Sequence, residues 1–510
     1  MLNYDLEKRG KAPIYEYLYR CIREDILAGV IPAGGKLPSK REMARDHHIA
    51  LITVENAYAQ LLIEGYIYSK EKSGYYVNTG GVLAESEVIN RMRREKNPDD
   101  ETVRGKKDAD QYIEQPVGAE KSRETPGNRR ADFTSNHAEG GAFPFSVWTK
   151  LLRRVLDDRE KELLMKPDAA GVWELRQAIA LYLKKAKGLI ADPSCIIVGP
   201  GTEYLHHVVL QLIGHNRLVA VEDPGYKKVG LLYENNGLKC MHIPVDEKGL
   251  RAEKLLESNA SLVHISPSHH FPTGCVMPIQ RRQELIQWAS RQNAYIVEDD
   301  YDSEFRLEGR PVPTLAEMDS DQVIYMNTFS KTLTPSIRMA YMVLPEKLKE
   351  LYERKLYFYS SAVSSFEQYT LAAFIREGYY ERHISRMKNC YRQYRARFLR
   401  ELAGSRLARL SAVKEADAGL HFILQVTKNI DDERFLEELE KEGIRMLPVE
   451  QYCYRNPEKY RHQFILQYSD ISGEVLAECF DRMADLIEGK ILQEKGQKNT
   501  LKNEGKILHV

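Results

Sequence analysis

VIYMNTFSKTLTPSIRMAYMVLP, residues 323–345, carries the reading that decides the fold. Val323–Met326 is a short apolar run, and it breaks into Asn327-Thr328-Phe329-Ser330-Lys331. A buried strand that ends in a polar turn has this form. Four more runs repeat it: Cys195–Val198 before Gly199-Pro200-Gly201-Thr202-Glu203, Leu218–Val221 before Glu222-Asp223-Pro224-Gly225-Tyr226, Leu262–Ile265 before Ser266-Pro267-Ser268-His269-His270, and Tyr295–Val297 before Glu298-Asp299-Asp300-Tyr301-Asp302. Helical patterns lie between them, so the spacing predicts an α/β domain on a largely parallel sheet from Ala131 to Glu488. Open sheets of this kind bind ligands at the carboxyl ends of their strands, so these polar clusters converge on one crevice.

The crevice has a definite chemistry. Gly201-Thr202-Glu203 opens a helix whose Tyr204, Val208 and Leu212 share a face. A glycine turn feeding a helix start offers free N–H groups to a phosphate. Thr328 and Ser330 add hydroxyls beside Lys331, and Arg338 follows seven residues on. A lysine for a Schiff base, an anionic carboxylate for a pyridine nitrogen and a phosphate cradle are what pyridoxal 5'-phosphate requires. Taken singly, a lysine after a strand, a Gly-x-Thr turn or an acidic run is ordinary surface; their order and spacing together are specific. His269 and His270 have no third ligand at metal spacing, so no metal is expected.

Upstream lies a second patterned module, residues 12–78. Tyr15, Leu18, Ile22 and Ile26 share one helical face, and Gly29 with Pro32 stops that helix. Ser39-Lys40-Arg41-Glu42 fits a capping box at the start of a second helix. A third helix, from about Ala50 to Glu64, buries Val54, Ala57, Tyr58, Leu61 and Leu62 and turns Thr53, Asn56 and Gln60 outward. Tyr66–Tyr68 and Tyr75–Val77 flank Ser69–Gly74 as a hairpin. Three helices and a hairpin make a winged helix-turn-helix, whose third helix enters the major groove. Residues 79–130 are charged, proline-bearing and poor in large apolar side chains, which reads as a flexible linker with a short helix near 82–95. The tail, 489–510, is Lys- and Gln-rich and reads as frayed.

Of 510 residues, 74 are Lys or Arg and 74 Asp or Glu, so no strongly charged tail dominates. No apolar run reaches the ~18 residues of a membrane span, and the first residues lack the apolar core of a secretory signal. Seven scattered cysteines argue against a disulfide framework and point to a reduced, cytoplasmic protein with no membrane partner.

GGKLPSKREMA (34–44), TVENAYAQLLIEGYI (53–67) and SGYYV (73–77) resemble the DNA-binding head of the GntR superfamily. AAGVWELRQAIALYL (169–183), EDPGY (222–226), SPSHHFPTG (266–274), EDDYDSEF (298–305), TFSKTLTPSIRMAYMVLP (328–345) and GLHFIL (419–424) resemble a fold-type I aminotransferase domain. Both in one chain resemble the MocR subfamily. The resemblance implies that Lys331 forms the internal aldimine with pyridoxal phosphate, Asp299 pairs with the pyridinium nitrogen and Tyr301 donates to the ring hydroxyl oxygen. Arg338, Ser330 and Thr328 would hold the phosphate with the Thr202–Glu203 region, and Tyr226 would pack on the ring. Phe271 stands where aminotransferases carry Asn beside the ring oxygen, so that contact is missing or made by His270, which with Arg461, the nearest cation to the last strand for an effector carboxylate, is the candidate for effector binding. Gln467 stands where the family pattern has Gly, and Ser336 likewise. In the head, Ser39, Lys40 and Arg41 would meet phosphates, Thr53 and Asn56 would face DNA, and the wing around Lys70–Gly74 would touch the minor groove or the backbone. Ala50-Leu51 replace a usual Ser-Arg, and Asn56 a frequent Arg.

The resemblance implies a transcriptional regulator that binds a double-stranded DNA operator. It would act as a head-to-tail homodimer and sense a small amino compound, or the cofactor itself, through an external aldimine. The alternative is an aminotransferase with a vestigial head, and a third reading makes the large domain a dimerisation scaffold.

Overall fold

The computed structural model describes Tyr4, residues 13–78 apart from 28, 33, 48, 64–65 and 71–72, residues 130–134, and residues 143–489 apart from 308–311, 415–419 and 468–470. The linker expected at 79–130, apart from Arg130, and the tail expected at 489–510, apart from Gly489, lie outside the described residues. Contacts divide the backbone into two compact units, residues 1–62 with 66–129, and residues 130–510 with 63–65.

In the first unit, α1 (Ile14–Leu27), α2 (Lys40–Asp46) and α3 (Leu51–Ile63) precede a hairpin of β1 (Ile67–Lys70) and β2 (Gly74–Val77). Leu18, Ile22 and Ile26 of α1 and Val54, Ala57, Tyr58 and Leu61 of α3 are buried, as are Leu37, Met43, Ile67 and Val77. The capping box forms at α2: the Glu42 N–H donates to Ser39 Oγ at 3.2 Å, and the Ser39 N–H donates to Glu42 Oε2 at 3.3 Å. Ile67 pairs with Val77 and Lys70 with Gly74 in the antiparallel hairpin. Gln60 departs from the expected outer face. It is 6% exposed, because it follows Ala57 by three residues and so shares the packed side.

The second unit opens with β3 (Ala131–Asp132) and is built on an eight-stranded sheet. Its strands are β4 (Ile196–Gly199), β5 (Leu218–Asp223), β6 (Lys239–Asp246), β7 (Gly249–Leu250), β8 (Leu262–Ile265), β9 (Tyr295–Asp299), β10 (Val323–Thr328) and β11 (Ala340–Val343), in the order β4-β11-β10-β9-β8-β5-β6-β7. The five from β6 through β5, β8 and β9 to β10 run parallel, while β11, β4 and β7 join antiparallel at the two sides. Both faces are covered, which is why these strands read as continuous apolar runs. Ile196, Val198, Val263, Ile296 and Val323 face one core, with Leu175 and Ile179 of α4 (Trp173–Lys187) and Leu285 and Trp288 of α5 (Ile279–Gln292). Their neighbours Ile197, Leu262, Val297 and Ile324 face the other, with Leu205, Val208 and Leu212 of a helix, Thr202–Ile213, here called α6. Strand alternation sends successive side chains to opposite layers.

A four-stranded antiparallel sheet follows, β12 (Ser411–Lys414), β13 (His421–Val426), β14 (Leu447–Pro448) and β15 (Gln463–Gln467), in the order β12-β13-β15-β14. Among the described residues no helix is long and apolar enough to cross a membrane.

Candidate cofactor and effector site

The carboxyl ends of β4, β5, β8, β9 and β10 carry the polar residues that the sequence pointed to. β10 ends at Thr328, whose hydroxyl accepts the Ser330 N–H at 3.1 Å and donates to the Met339 carbonyl at 3.3 Å. Capping thus occupies Thr328 and holds the single helical turn Phe329–Thr332 that presents Lys331. Lys331 stays open to solvent, yet protein surrounds it on most sides. That desolvation lowers its ammonium pKa, with the Asp302 charge opposing. A lysine tuned this way holds more of its neutral, nucleophilic form.

Asp299 ends β9. Its Oδ1 is buried and accepts no hydrogen bond, while Oδ2 lies 3.6 Å from His264 Nε2. Behind His264, the Tyr233 hydroxyl sits 3.3 Å from His264 Nδ1 and 3.3 Å from His206 Nδ1. Tyr301 donates to the His269 carbonyl at 3.1 Å, and His269 Nδ1–H donates to Asp302 at 2.9 Å, since a carboxylate can only accept. Burial and the neighbouring carboxylates raise the Tyr301 phenol well above its ordinary pKa.

Glu222 ends β5 beside this group. Burial, with the Asp299 charge adding to it, pushes its carboxyl up to about 8 against a hydrogen bond from the Ser266 N–H. His270 Nε2 is 3.5 Å from Glu222 Oε2, and its Nδ1 meets Thr273 Oγ1 at 2.7 Å. Desolvation, helped by nearby His269, brings the His270 and His421 imidazoles down to about 3, so both are neutral at pH 7. Tyr226 stands half exposed with its ring edge-on to Phe271, centroids 6.2 Å apart.

The phosphate side is built on Gly201, φ +122°, just before α6. No side chain caps α6, so its first N–H groups remain available. A Cβ at Gly201 would lie 2.7 Å from Arg338 Nη2 and 2.8 Å from Glu203 Oε2, so only glycine leaves this cradle open. Arg338, itself at φ +47°, pairs with Glu203 at 3.2 Å, and Lys228 binds the other Glu203 oxygen. Burial pushes Glu203 up, but the Lys228 hydrogen bond, its own backbone N–H and the Arg338 charge outweigh it and hold the carboxyl at about 2. The Glu203 side chain is therefore a partner of the cations; only its N–H suits a phosphate. An orphaned carboxylate oxygen, a depressed lysine and an open glycine cradle at one sheet edge fit pyridoxal phosphate.

Arg461 is placed elsewhere. It is exposed on the turn before β15, whose other end pairs Gln467 with His421, and its charge acts on Glu450. Gln467 ties β15 back to the Thr134 carbonyl at 2.9 Å. Sequence reasoning placed Glu222 and Asp302 in the converging clusters without giving them a role, and it passed over His264, Tyr233, His206 and His421. His264 carried a signal, a polar residue near the end of a strand whose end was already assigned to the crevice.

In the first unit, Ser39, Arg41 and Asn56 are exposed, Lys40, Thr53 and Gly74 half-buried. Lys40 pairs with Glu55 of α3 at 3.5 Å.

Comparison with known proteins agrees with both units. Residues 14–77 match the bacterial regulatory proteins of the gntR family, and residues 132–464 match the aminotransferases of class I and II. The HTH-type transcriptional regulator YdeL of Bacillus subtilis is 35% identical over 88% of this chain and 91% of its own. The probable rhizopine catabolism regulatory protein MocR of Rhizobium meliloti is 32% identical over 93% of each. Among solved structures, a multiple substrate aminotransferase from Thermococcus profundus shares the fold at TM-score 0.62 and 23% identity, covering 72% of this chain and 93% of that one. This chain belongs to the MocR-like HTH-type transcriptional regulators, in which a gntR-family head is joined to an aminotransferase class I and II domain.

Proposed function

We propose that this protein regulates transcription by holding pyridoxal phosphate on Lys331 and responding to a small amino compound, as a homodimer whose heads grip an operator. The observation that carries it is Asp299: a strand-end carboxylate with one oxygen buried and unpartnered. Bound pyridoxal phosphate supplies an aldehyde that links reversibly to primary amines. Asp299 would hold a proton on the ring nitrogen and Tyr226 would cover the ring. The α6 N-terminus, Ser330 and Arg338 would bind the phosphate, with Glu203 keeping Arg338 and Lys228 in place beforehand. Lys331, whose ammonium burial disfavours, would be the amine that holds the aldehyde until an effector amine takes its place. The neutral imidazoles of His270 and His421 line the crevice without adding charge. An effector that favours one arrangement of the two units shifts their populations by its differential affinity.

Absorbance in the near-visible tests the cofactor half: a band in the wild type that Lys331→Ala loses supports it, and a wild type that stays colourless after soaking with the aldehyde refutes it. Retention of specific promoter fragments tests the regulatory half. Sustained turnover of an amino acid with a 2-oxo acid, with no DNA retained, would support the aminotransferase reading in its place.

A further inference from the structure

The outer face of α3 is made of unusual material for a helix that meets DNA. Ile52, Asn56 and Ala59 recur at i, i+4 and i+7, and all three are exposed. Ile52 is 60% and Leu51 40% open to solvent, among the few large aliphatic side chains so exposed in the first unit. The helix sequence, LITVENAYAQLLI, contains no Lys or Arg, and its one ionised residue, Glu55, faces Lys40 at 3.5 Å. Cations lie on the flanking elements instead: Arg41 and Arg45 are exposed on α2, and Lys70 ends β1. The arrangement places positive charge where phosphates run and apolar atoms where base edges lie.

The major groove presents few surfaces for such a face. Guanine shows two acceptors, which Arg or Lys reads; cytosine shows a donor, which a free carboxylate reads; adenine shows a donor–acceptor pair that suits an amide; thymine shows a methyl group that suits aliphatic carbon. Leu51, Ile52 and Ala59 match thymine, Asn56 matches adenine, and nothing on the outer face of α3 matches guanine.

We propose that Leu51 and Ile52 read thymine 5-methyl groups, with Asn56 on an adjacent adenine, so that the base pairs under α3 are A·T and their recognition depends on the methyls. The proposal rests on α3 being the helix that enters the groove. Full-length protein is used to select duplexes from a random library, and the retained sequence is resynthesised with deoxyuridine for thymidine at each position in turn. A·T pairs under α3 are expected, with binding weakened about fourfold for each contacted methyl removed. Leu51→Ser with Ile52→Ser, both exposed enough to leave the fold intact by circular dichroism, should bind thymidine and deoxyuridine duplexes equally. Equal affinity of the wild type for both duplexes, or selection of G·C pairs at these positions, overturns the proposal while leaving DNA binding standing. Retention of no duplex even at low salt overturns the groove reading itself. A change in oligomer mass in the double variant with no change in the thymidine–deoxyuridine ratio would assign the face to a second copy of this chain and also overturn it.

Discussion

His264 Nε2 stands 3.6 Å from Asp299 Oδ2, and its Nδ1 faces the Tyr233 hydroxyl at 3.3 Å, which in turn faces His206. The Tyr233 hydroxyl thus bridges the two imidazoles, and His264 Nε2, buried with no hydrogen bond of its own, faces Asp299. His264→Phe should weaken pyridoxal phosphate binding by about three- to tenfold, on the order of 1 kcal/mol. Fluorescence titration of the apoprotein measures it, and unchanged affinity would remove His264 from the site. Tyr233→Phe strands two buried imidazole nitrogens and should cost about 1–3 kcal/mol in urea unfolding.

Gly201 offers a second lever. Gly201→Ala puts a methyl 2.7 Å from Arg338 Nη2 at a backbone angle of φ +122°. The strain should cost about 1–3 kcal/mol of stability, and cofactor affinity should fall by more than it does in Thr328→Val, whose hydroxyl serves as a cap. Equal losses in the two variants, read by equilibrium titration, would contradict the phosphate cradle.

Two groups in the crevice oppose each other in pH. Glu222 holds its proton to about 8 when folded and to about 4.5 when unfolded, so the folded state binds more protons in that window and stability falls as pH rises through it. His421 loses its proton at about 3 folded against 6.5 unfolded, so its contribution is present above 6.5 and lost as pH falls. Glu222→Gln should therefore gain about 1–3 kcal/mol on the wild type between pH 5 and pH 8.5 in the apoprotein. His421→Asn should lose less stability than the wild type between pH 6.5 and pH 4.5. Parallel pH curves for wild type and variants in chemical denaturation would refute both assignments.

Beneath the crevice, Lys187 of α4 is buried against Asp300 and Glu304, and the Tyr325 hydroxyl donates to Asp300 at 2.6 Å. Lys187→Met leaves two buried acids without the cation that contacts both, with Lys388 acting only on Glu304, and should cost about 3–5 kcal/mol. The exposed pair Arg154–Glu377 should cost under about 1 kcal/mol when broken by Glu377→Gln. Thermal melts that rank these two the other way would show that the acid cluster is neutralised by other means.

Much of this was legible in the chain. The apolar runs read at 195–198, 218–221, 262–265, 295–297 and 323–326 all joined one sheet, their strands ending up to two residues further on, because each carries its turn chemistry at its own end. The capping box at Ser39 and Glu42 formed as read, being a contact across three residues. Gln60 did not, because periodicity gives a helix's faces but not how far the packing wraps around them. The Asp299–His264–Tyr233–His206 chain was not legible: its members come from β9, β8, the helix after β5 and α6.

Local patterning alone therefore determined which segments are strands and helices and that a winged head precedes an α/β body, since each depends on near neighbours along the chain; Lys331 and Asp299 were singled out by the family resemblance. Only the tertiary structure decided that Thr328 caps, that Glu203 pairs with Arg338, that Glu222 is buried beside Asp299 and that Arg461 lies at the opposite end of β15 from Gln467. Burial and the distance between charges are set by the order of strands in the sheet, and no stretch of sequence contains that order.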